Sequence, residues 1–423
     1  MFDRSYRQRL EVDLARWEAD GLITPAALKG IRSTLPSLSP GVSIPVAVAI
    51  VGGLFVAAAF LVFIAAHWTE LPRLLRFVIV IAGLVAANGL GFWFAHTHRP
   101  ILADLCASVS AIIFGAGIAL VGQMYHLGED FAGGMLLWSV GAMVTAALTG
   151  SQGALAVALS AANIWVCLRI DSSGGALHPP FLALWFIGTC LTLAWNSRVA
   201  AHLVAVASFP YWIAAVVQPF SDSLQPAFVL ADGAALLFGC GLALAAMPWQ
   251  RALSFGAVLS NYGAISLAGA TVLEVATVDD LVHLHADVFA NQPPWALSCG
   301  AAGAILAFVA AAFTRRAGTI SAGIAIALVL VTALAWLPRG SGESWLAYAL
   351  MLGAMLCLIV SGMLDAATPR IVAGWLGIAG VIMTITWVVK GSLLRRSAFL
   401  AVAGAAAVGL ATALHRLMPR ADK

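Results

Sequence analysis

Charged side chains are scarce in this sequence: Asp, Glu, Lys and Arg together make up 10% of 423 residues, while 62% are hydrophobic. Soluble domains carry about a quarter charged residues and about half apolar ones, so a soluble globular protein is excluded. The net charge of +3 is too small to hold a polyanion, which leaves no nucleic-acid partner. Cysteine is sparse as well. Its six copies, Cys106, Cys167, Cys190, Cys240, Cys299 and Cys357, all lie within apolar runs and form no Cys-x-x-Cys pair, so they read as packing residues. Also missing are a Walker loop, a nucleophile elbow, a Gly-rich dinucleotide fingerprint and a His-Glu-x-x-His pair. These absences speak against a self-contained ATP-driven pump, imply no cofactor and weigh against an enzyme. The first forty residues mix acids with bases and lack the basic start and short apolar core of a cleavable signal peptide.

What the sequence has in abundance is apolar runs. Fourteen of them stand near residues 44–66, 74–95, 102–125, 132–149, 152–169, 179–195, 199–217, 227–247, 252–275, 295–313, 318–337, 344–364, 371–389 and 394–414. A run of about 20 apolar residues matches the hydrocarbon core of a bilayer when helical, and helices satisfy their own backbone groups in lipid. Strands of a membrane barrel would alternate apolar with polar residues, and these runs do not. The expected fold is therefore all-α: a polytopic helical integral membrane protein with about 12–14 transmembrane helices over residues 41–423.

Ahead of the first run, residues 1–40 predict an amphipathic helical hairpin. Phe2, Tyr6, Leu10, Leu14 and Trp17 recur at helical spacing, Gly21 ends the first helix, and Thr24 with Pro25 opens a second. Such a hairpin docks on the membrane surface or contacts a cytoplasmic partner. With both termini cytoplasmic, fifteen of the 22 bases fall on the inner side and seven on the outer, which supports an even number of spans in an inner membrane. Lys390, Arg395 and Arg396 run against that bias.

The densest polar signal sits at the end of the third run. Gly115, Ala119 and Gly122 lie near one helix face, where small residues admit a neighbouring helix. Gln123, Tyr125, His126, Glu129 and Asp130 follow within eight positions, with Gly128 marking a break. One reading is an outward-facing pocket that binds a substrate head group or relays a proton through His126; the other is helix glue with interfacial anchors. His67 and Trp68, at the outer end of the first run, fall at the same depth and extend the candidate pocket.

The run FGAGIALVGQMYHLGEDF, the N-terminal WEADGLIT segment and IAAHWTELPR after the first run resemble the DUF2157 family of predicted bacterial membrane proteins, over roughly residues 1–150. The resemblance implies a polytopic bacterial inner-membrane protein with no assigned reaction, and it highlights Trp68, Gln123, Tyr125 and His126. The small residue and Asn that usually precede the family's Trp are Ala66 and His67 in this chain.

Other polar residues are scattered. Asp104, Asp232, Glu274 and Asp365 lie near or within runs, and Glu274 is the best placed to act as a proton-coupled carboxylate, unless it sits at the interface. Asn88, Asn163 and Asn261 suit hydrogen bonds between helices. His283, His285 and Asp287 alternate in the longest break and could share one face of a strand as metal ligands, although no complete zinc pattern exists. Together these residues point first to a secondary transporter or flippase-like carrier of a small-molecule or lipid substrate. The alternatives are a non-transporting sensor or scaffold, and a membrane enzyme acting on a lipid-linked substrate.

Overall fold

The computed structural model describes residues 10, 13–14, 16–34, 52, 55, 72–125, 130–173, 178–217, 226–276, 294–335 and 345–388. The chain divides into two compact units, Met1–Ala66 and His67–Lys423.

In the first unit a helical stretch stops at Gly21, whose left-handed backbone (φ 69°) suits a residue without a Cβ. Thr24 then accepts the N–H of Ala27 on its Oγ1 at 3.2 Å, and Pro25 opens α1 (Pro25–Thr34). This is the cap the sequence expects. Leu14 and Leu28 are buried, whereas Trp17 and Leu22 are exposed.

The second unit contains twelve described helices: α2 (Arg73–His96), α3 (Pro100–Tyr125), α4 (Phe131–Thr149), α5 (Gln152–Ser173), α6 (Pro179–Trp195), α7 (Arg198–Val217), α8 (Pro226–Ala246), α9 (Gln250–Ala276), α10 (Pro294–Thr314), α11 (Ala317–Ala335), α12 (Trp345–Leu364) and α13 (Thr368–Val388). They correspond to twelve of the fourteen apolar runs; those at 44–66 and 394–414 lie outside the described residues. Proline stands first in α3, α6, α8 and α10, where its missing N–H costs nothing. Eight helices, α2–α5, α8–α10 and α12, are long and apolar enough to cross a membrane, and α6, α7, α11 and α13 add shorter apolar stretches. This is a helical, multi-pass membrane protein.

Short turns gather at one end of the bundle. His98, Gly150, Asn196, Arg315 and Ala366 each take a left-handed conformation (φ between 51° and 69°) in the turns after α2, α4, α6, α10 and α12. The turn after α8 spans only residues 247–249. Call this the turn end.

Two apolar clusters form the interior. One joins α3 to α7 and takes Phe255 and Leu259 from α9; the other joins α8 to α13. Helix α9 serves both, packing against α6, α7, α8, α11, α12 and α13. Its pairing with α8 is close because small residues face each other. A Cβ on Gly241 would overlap Ser260, one on Gly256 would overlap the backbone of Ala245, and one on Gly263 would overlap Phe238. On its other side α8 meets α10, where Gly239 and Gly303 touch backbone to backbone. The register of α8 against both neighbours follows from these contacts.

Polar glue appears where the sequence suggests it in two of three cases. Asn88 donates from Nδ2 to Ser110 Oγ at 2.8 Å, linking α2 to α3, and Asn163 donates to the Ala207 carbonyl at 3.1 Å, linking α5 to α7. Asn261 has a buried Oδ1 without a hydrogen bond among the described residues.

Candidate functional site

Two buried acids lie toward the end of the bundle opposite the turns. Asp232 lies two turns into α8, and Glu274 lies in the last turn of α9. Glu274 is 0% exposed and Asp232 is 5% exposed, both at membrane depth, where a carboxyl group is costly and seldom placed without a purpose. The two are close enough for their charges to interact.

Each acid is held by a helix on the far side. Glu274 Oε2 lies 3.0 Å from Thr332 Oγ1 of α11. Asp232 rests against α10 at Gly300, where a Cβ would overlap its Oδ1. The Gly300 vacancy is thus what admits the carboxyl. Cys299, next to Gly300, is in electrostatic range of Asp232, and in turn of Cys240 on α8 and Tyr211 on α7. No hydrogen bond is made by Asp232 among the described residues, although it is more than nine-tenths buried.

Aromatic rings crowd around this end. Trp212 of α7 donates its indole N–H to the Val229 carbonyl of α8 at 2.8 Å and meets Trp295 of α10 edge to face at 5.8 Å. Beside them, an apolar groove of about 370 Å³ runs between α6, α7, α8 and α9, with Tyr211, Trp212, Gly233, Ala234, Ala270 and Leu273 on its wall. Gly233 and Leu273 are the immediate neighbours of the two acids, so one helix layer separates the carboxyls from the groove. His178, the residue before α6, is buried edge-on against Trp165, and its burial pulls the imidazole pKa below the ordinary 6.5.

A second polar group packs against the same helix α9, on the turn-end side of the acids. Arg370, near the start of α13, folds back into the bundle and is 5% exposed. It donates from Nη1 to Asp365 Oδ2 at 2.8 Å and to Ser361 Oγ at 3.2 Å, and from Nη2 to Ser260 Oγ of α9 at 2.8 Å. Its guanidinium also stands 5.6 Å from the centre of the Phe238 ring. Asp365 packs against Gly318 in the first turn of α11.

The residues that the sequence singles out are distributed differently. Gln123 is exposed near the end of α3. Asp130 leaves the helix line altogether. It caps α4, accepting the Gly133 N–H on Oδ1 at 2.9 Å, and pairs with Arg169 of α5 at 2.7 Å. Tyr125 closes α3, but its side chain lies outside the described residues, as do His126, Glu129, His67 and Trp68, and also His283, His285 and Asp287. Among the described residues no group of three or more His, Cys, Asp or Glu side chains could hold a metal. Of the predicted site residues, Glu274 alone is one of the two buried acids, and its side chain is enclosed by the bundle.

Gly115, expected to admit a neighbouring helix, instead receives the Trp138 ring of α4, whose Nε1 donates to the Ala111 carbonyl at 2.8 Å; Gly122 faces open space. The large flat indole fills the gap that a backbone would otherwise occupy. Asp104 is likewise structural, accepting the Gly153 N–H at 3.3 Å at the start of α5. A polar cavity of about 760 Å³ lies alongside, bordered by Asn88, His98, Asp104 and Ser151.

Asp232 is among the acids that the sequence places near or within runs, and Arg370 among its bases; sequence reasoning missed their burial and the packing of each against α9. An acid and a base in or beside apolar runs were the available signals. Neither curated proteins nor solved structures yield a match to the chain. Residues 15–155, which hold α1 to α4 and the start of α5, match the family model described as Predicted membrane protein (DUF2157), the family that the Trp-Glu-Ala-Asp and Gly-Gln-Met-Tyr-His segments resemble.

Proposed function

We propose that the chain is a carrier, a secondary transporter or flippase-like protein, whose path follows helix α9. The observation behind this reading is the line of buried polar groups on that helix: Ser260 with the Arg370 guanidinium, then Thr271, then Glu274. Glu274 follows Ser260 by fourteen residues, about 21 Å of helix. That length covers most of a hydrocarbon core of about 30 Å. Packing alone does not call for one charged group against the middle of a helix and another buried in its last turn. An alternating-access carrier does, because polar groups there meet solute or water in turn.

In this reading the turn end faces the cytoplasm of a bacterial inner membrane. Arg99, Arg198, Arg251, Arg315 and Arg316 flank the short turns, as the positive-inside rule requires. The acid pair then lies toward the outer face. The cluster Gln123, Tyr125, His126, Asp130, His67 and Trp68 is proposed as the substrate-facing mouth on the strength of its residue types. The exposed Trp17 and Leu22 of the N-terminal segment supply a contact for a cytoplasmic partner.

The reading is tested without knowing the substrate. With the six native cysteines replaced by alanine, Ser260→Cys and Thr271→Cys are probed in sealed vesicles with a membrane-impermeant maleimide. A carrier exposes Thr271→Cys from the face opposite the turns and Ser260→Cys from the turn face. Failure to label either from either face, while an exposed control cysteine reacts, overturns the proposal.

A further inference from the structure

We propose that Asp232 and Glu274 form a proton-binding site whose occupancy drives the carrier cycle; this rests on the carrier reading and names its coupling ion.

The inference starts from Asp232. A carboxylate buried in an apolar bundle needs a donor or a counter-charge, because an unsatisfied ionised group carries a penalty of several kcal/mol or more. Asp232 is 5% exposed, has no hydrogen bond among the described residues, and faces Gly300, which offers only backbone and space. Among the described residues, the titratable groups in electrostatic range of it are Glu274 from α9 and Cys299 from α10, with Cys240 and Tyr211 in turn in range of Cys299. All are acids, and each would repel a carboxylate if ionised. Arg370, the cation buried along α9 among the described residues, is committed to Asp365, Ser361 and Ser260.

Counting protons at Thr332 leads to the same place from a different direction. A hydroxyl carries one hydrogen and accepts two bonds. Thr332 Oγ1 lies in hydrogen-bond contact with two oxygens, the Val329 carbonyl and Glu274 Oε2. Threonine in a membrane helix ordinarily gives its hydrogen to a carbonyl one turn back. If it does so here, the contact with Glu274 is complete only when Glu274 donates, that is, when the carboxyl carries a hydrogen.

The site thus offers two oxyacids and a hydroxyl that can accept, with Glu274 in the last turn of α9. Protonation adds H⁺ to a carboxylate oxygen and gives the neutral acid. Release returns H⁺ to water and leaves a charged pair whose mutual repulsion pushes α8 and α9 apart at this end. No other reactant is needed. The two groups titrate as a pair, so each loses its own midpoint when the other is present.

Infrared difference spectra of the full-length chain in liposomes, recorded between alkaline and acidic buffer, read the protonated carboxyl directly. The expected result is a carboxylic-acid carbonyl band that grows on acidification and is unaffected by sodium. Asp232→Asn should remove one component and shift the midpoint of the remainder, and Asp232→Asn with Glu274→Gln should remove both. Thr332→Val keeps both acids and should move the band frequency of one, which covers the case in which Asp232→Asn does not fold. A band unchanged in the double variant, a spectrum unmoved by Thr332→Val, or displacement of the band by sodium overturns the proposal. The cysteine-labelling result is independent of these spectra, so loss of the carrier reading and loss of the proton site are distinguishable.

Discussion

Trp138 and Trp212 make the same contact in two separate helix pairs. Each lays its indole across a glycine, Gly115 or Gly233, and donates to the carbonyl four residues before it, Ala111 or Val229. The missing Cβ lets the ring reach a carbonyl that already accepts the glycine's own N–H in the helix. An aromatic side chain so placed fixes both the distance and the rotation of two helices that hydrophobicity alone cannot orient in lipid.

Gly115→Ala should therefore destabilise the fold by about 1–3 kcal/mol through overpacking. Trp138→Phe removes the donor and should cost about 1 kcal/mol. Because the two residues touch, their effects should not add, and the double variant should lose less than the sum. Thermal unfolding of the four proteins in detergent gives the coupling; strict additivity would contradict the contact.

Arg370 and Asp365 form a pair with side chains only 6% and 20% exposed. Breaking such a pair from one side strands a charge, at a cost of about 3–5 kcal/mol. Arg370→Met should thus lower the yield of folded protein sharply, and Arg370→Met with Asp365→Asn should recover part of it. By contrast Arg169 and Asp130, 39% and 64% exposed, are screened by water. Arg169→Ala should cost no more than about 1 kcal/mol, measured by the same unfolding assay.

Ala366 occupies a left-handed conformation with φ 53°. That backbone costs a residue with a Cβ about 1–2 kcal/mol. Ala366→Gly should raise the midpoint of unfolding, despite the greater freedom of glycine in the unfolded chain. A lowered midpoint would show that the turn is not strained.

His178 is held neutral by burial, with its pKa lowered in the folded state. The unfolded chain takes up a proton near pH about 6.5, while the folded chain resists until lower pH. The stability it supports is full above that value and is lost as pH falls from about 6.5 through the lowered folded pKa. His178→Gln should flatten this loss, seen as a smaller drop in unfolding temperature on acidification than in the unaltered chain.

Helices were legible in the sequence because a lipid-spanning run has to be long and apolar, and because Pro100, Pro179, Pro226 and Pro294 mark where helices begin. Glu274 stood out for a similar reason, as a carboxyl inside such a run. Its partners did not. Asp232 is 42 residues away, and only the antiparallel pairing of α8 with α9 brings the two acids to the same end of the bundle. Arg370 counts as an inner-side base by the charge rule, yet its long side chain reaches Ser260, 110 residues earlier. Such reach depends on rotamer and helix register, which a linear pattern does not carry. At Asp130 the sequence suggested a binding group; as folded, the residue also caps α4 and pairs with Arg169, 39 residues on, a contact that a linear pattern does not carry.

Each of the six tight turns rivets one pair of successive helices at the turn end. With two or three residues between successive helices there, neighbours cannot slide or part at that edge without unwinding a helix. For α8 and α9, joined through residues 247–249, any separation is therefore confined to the opposite end, the end that carries Asp232 and Glu274.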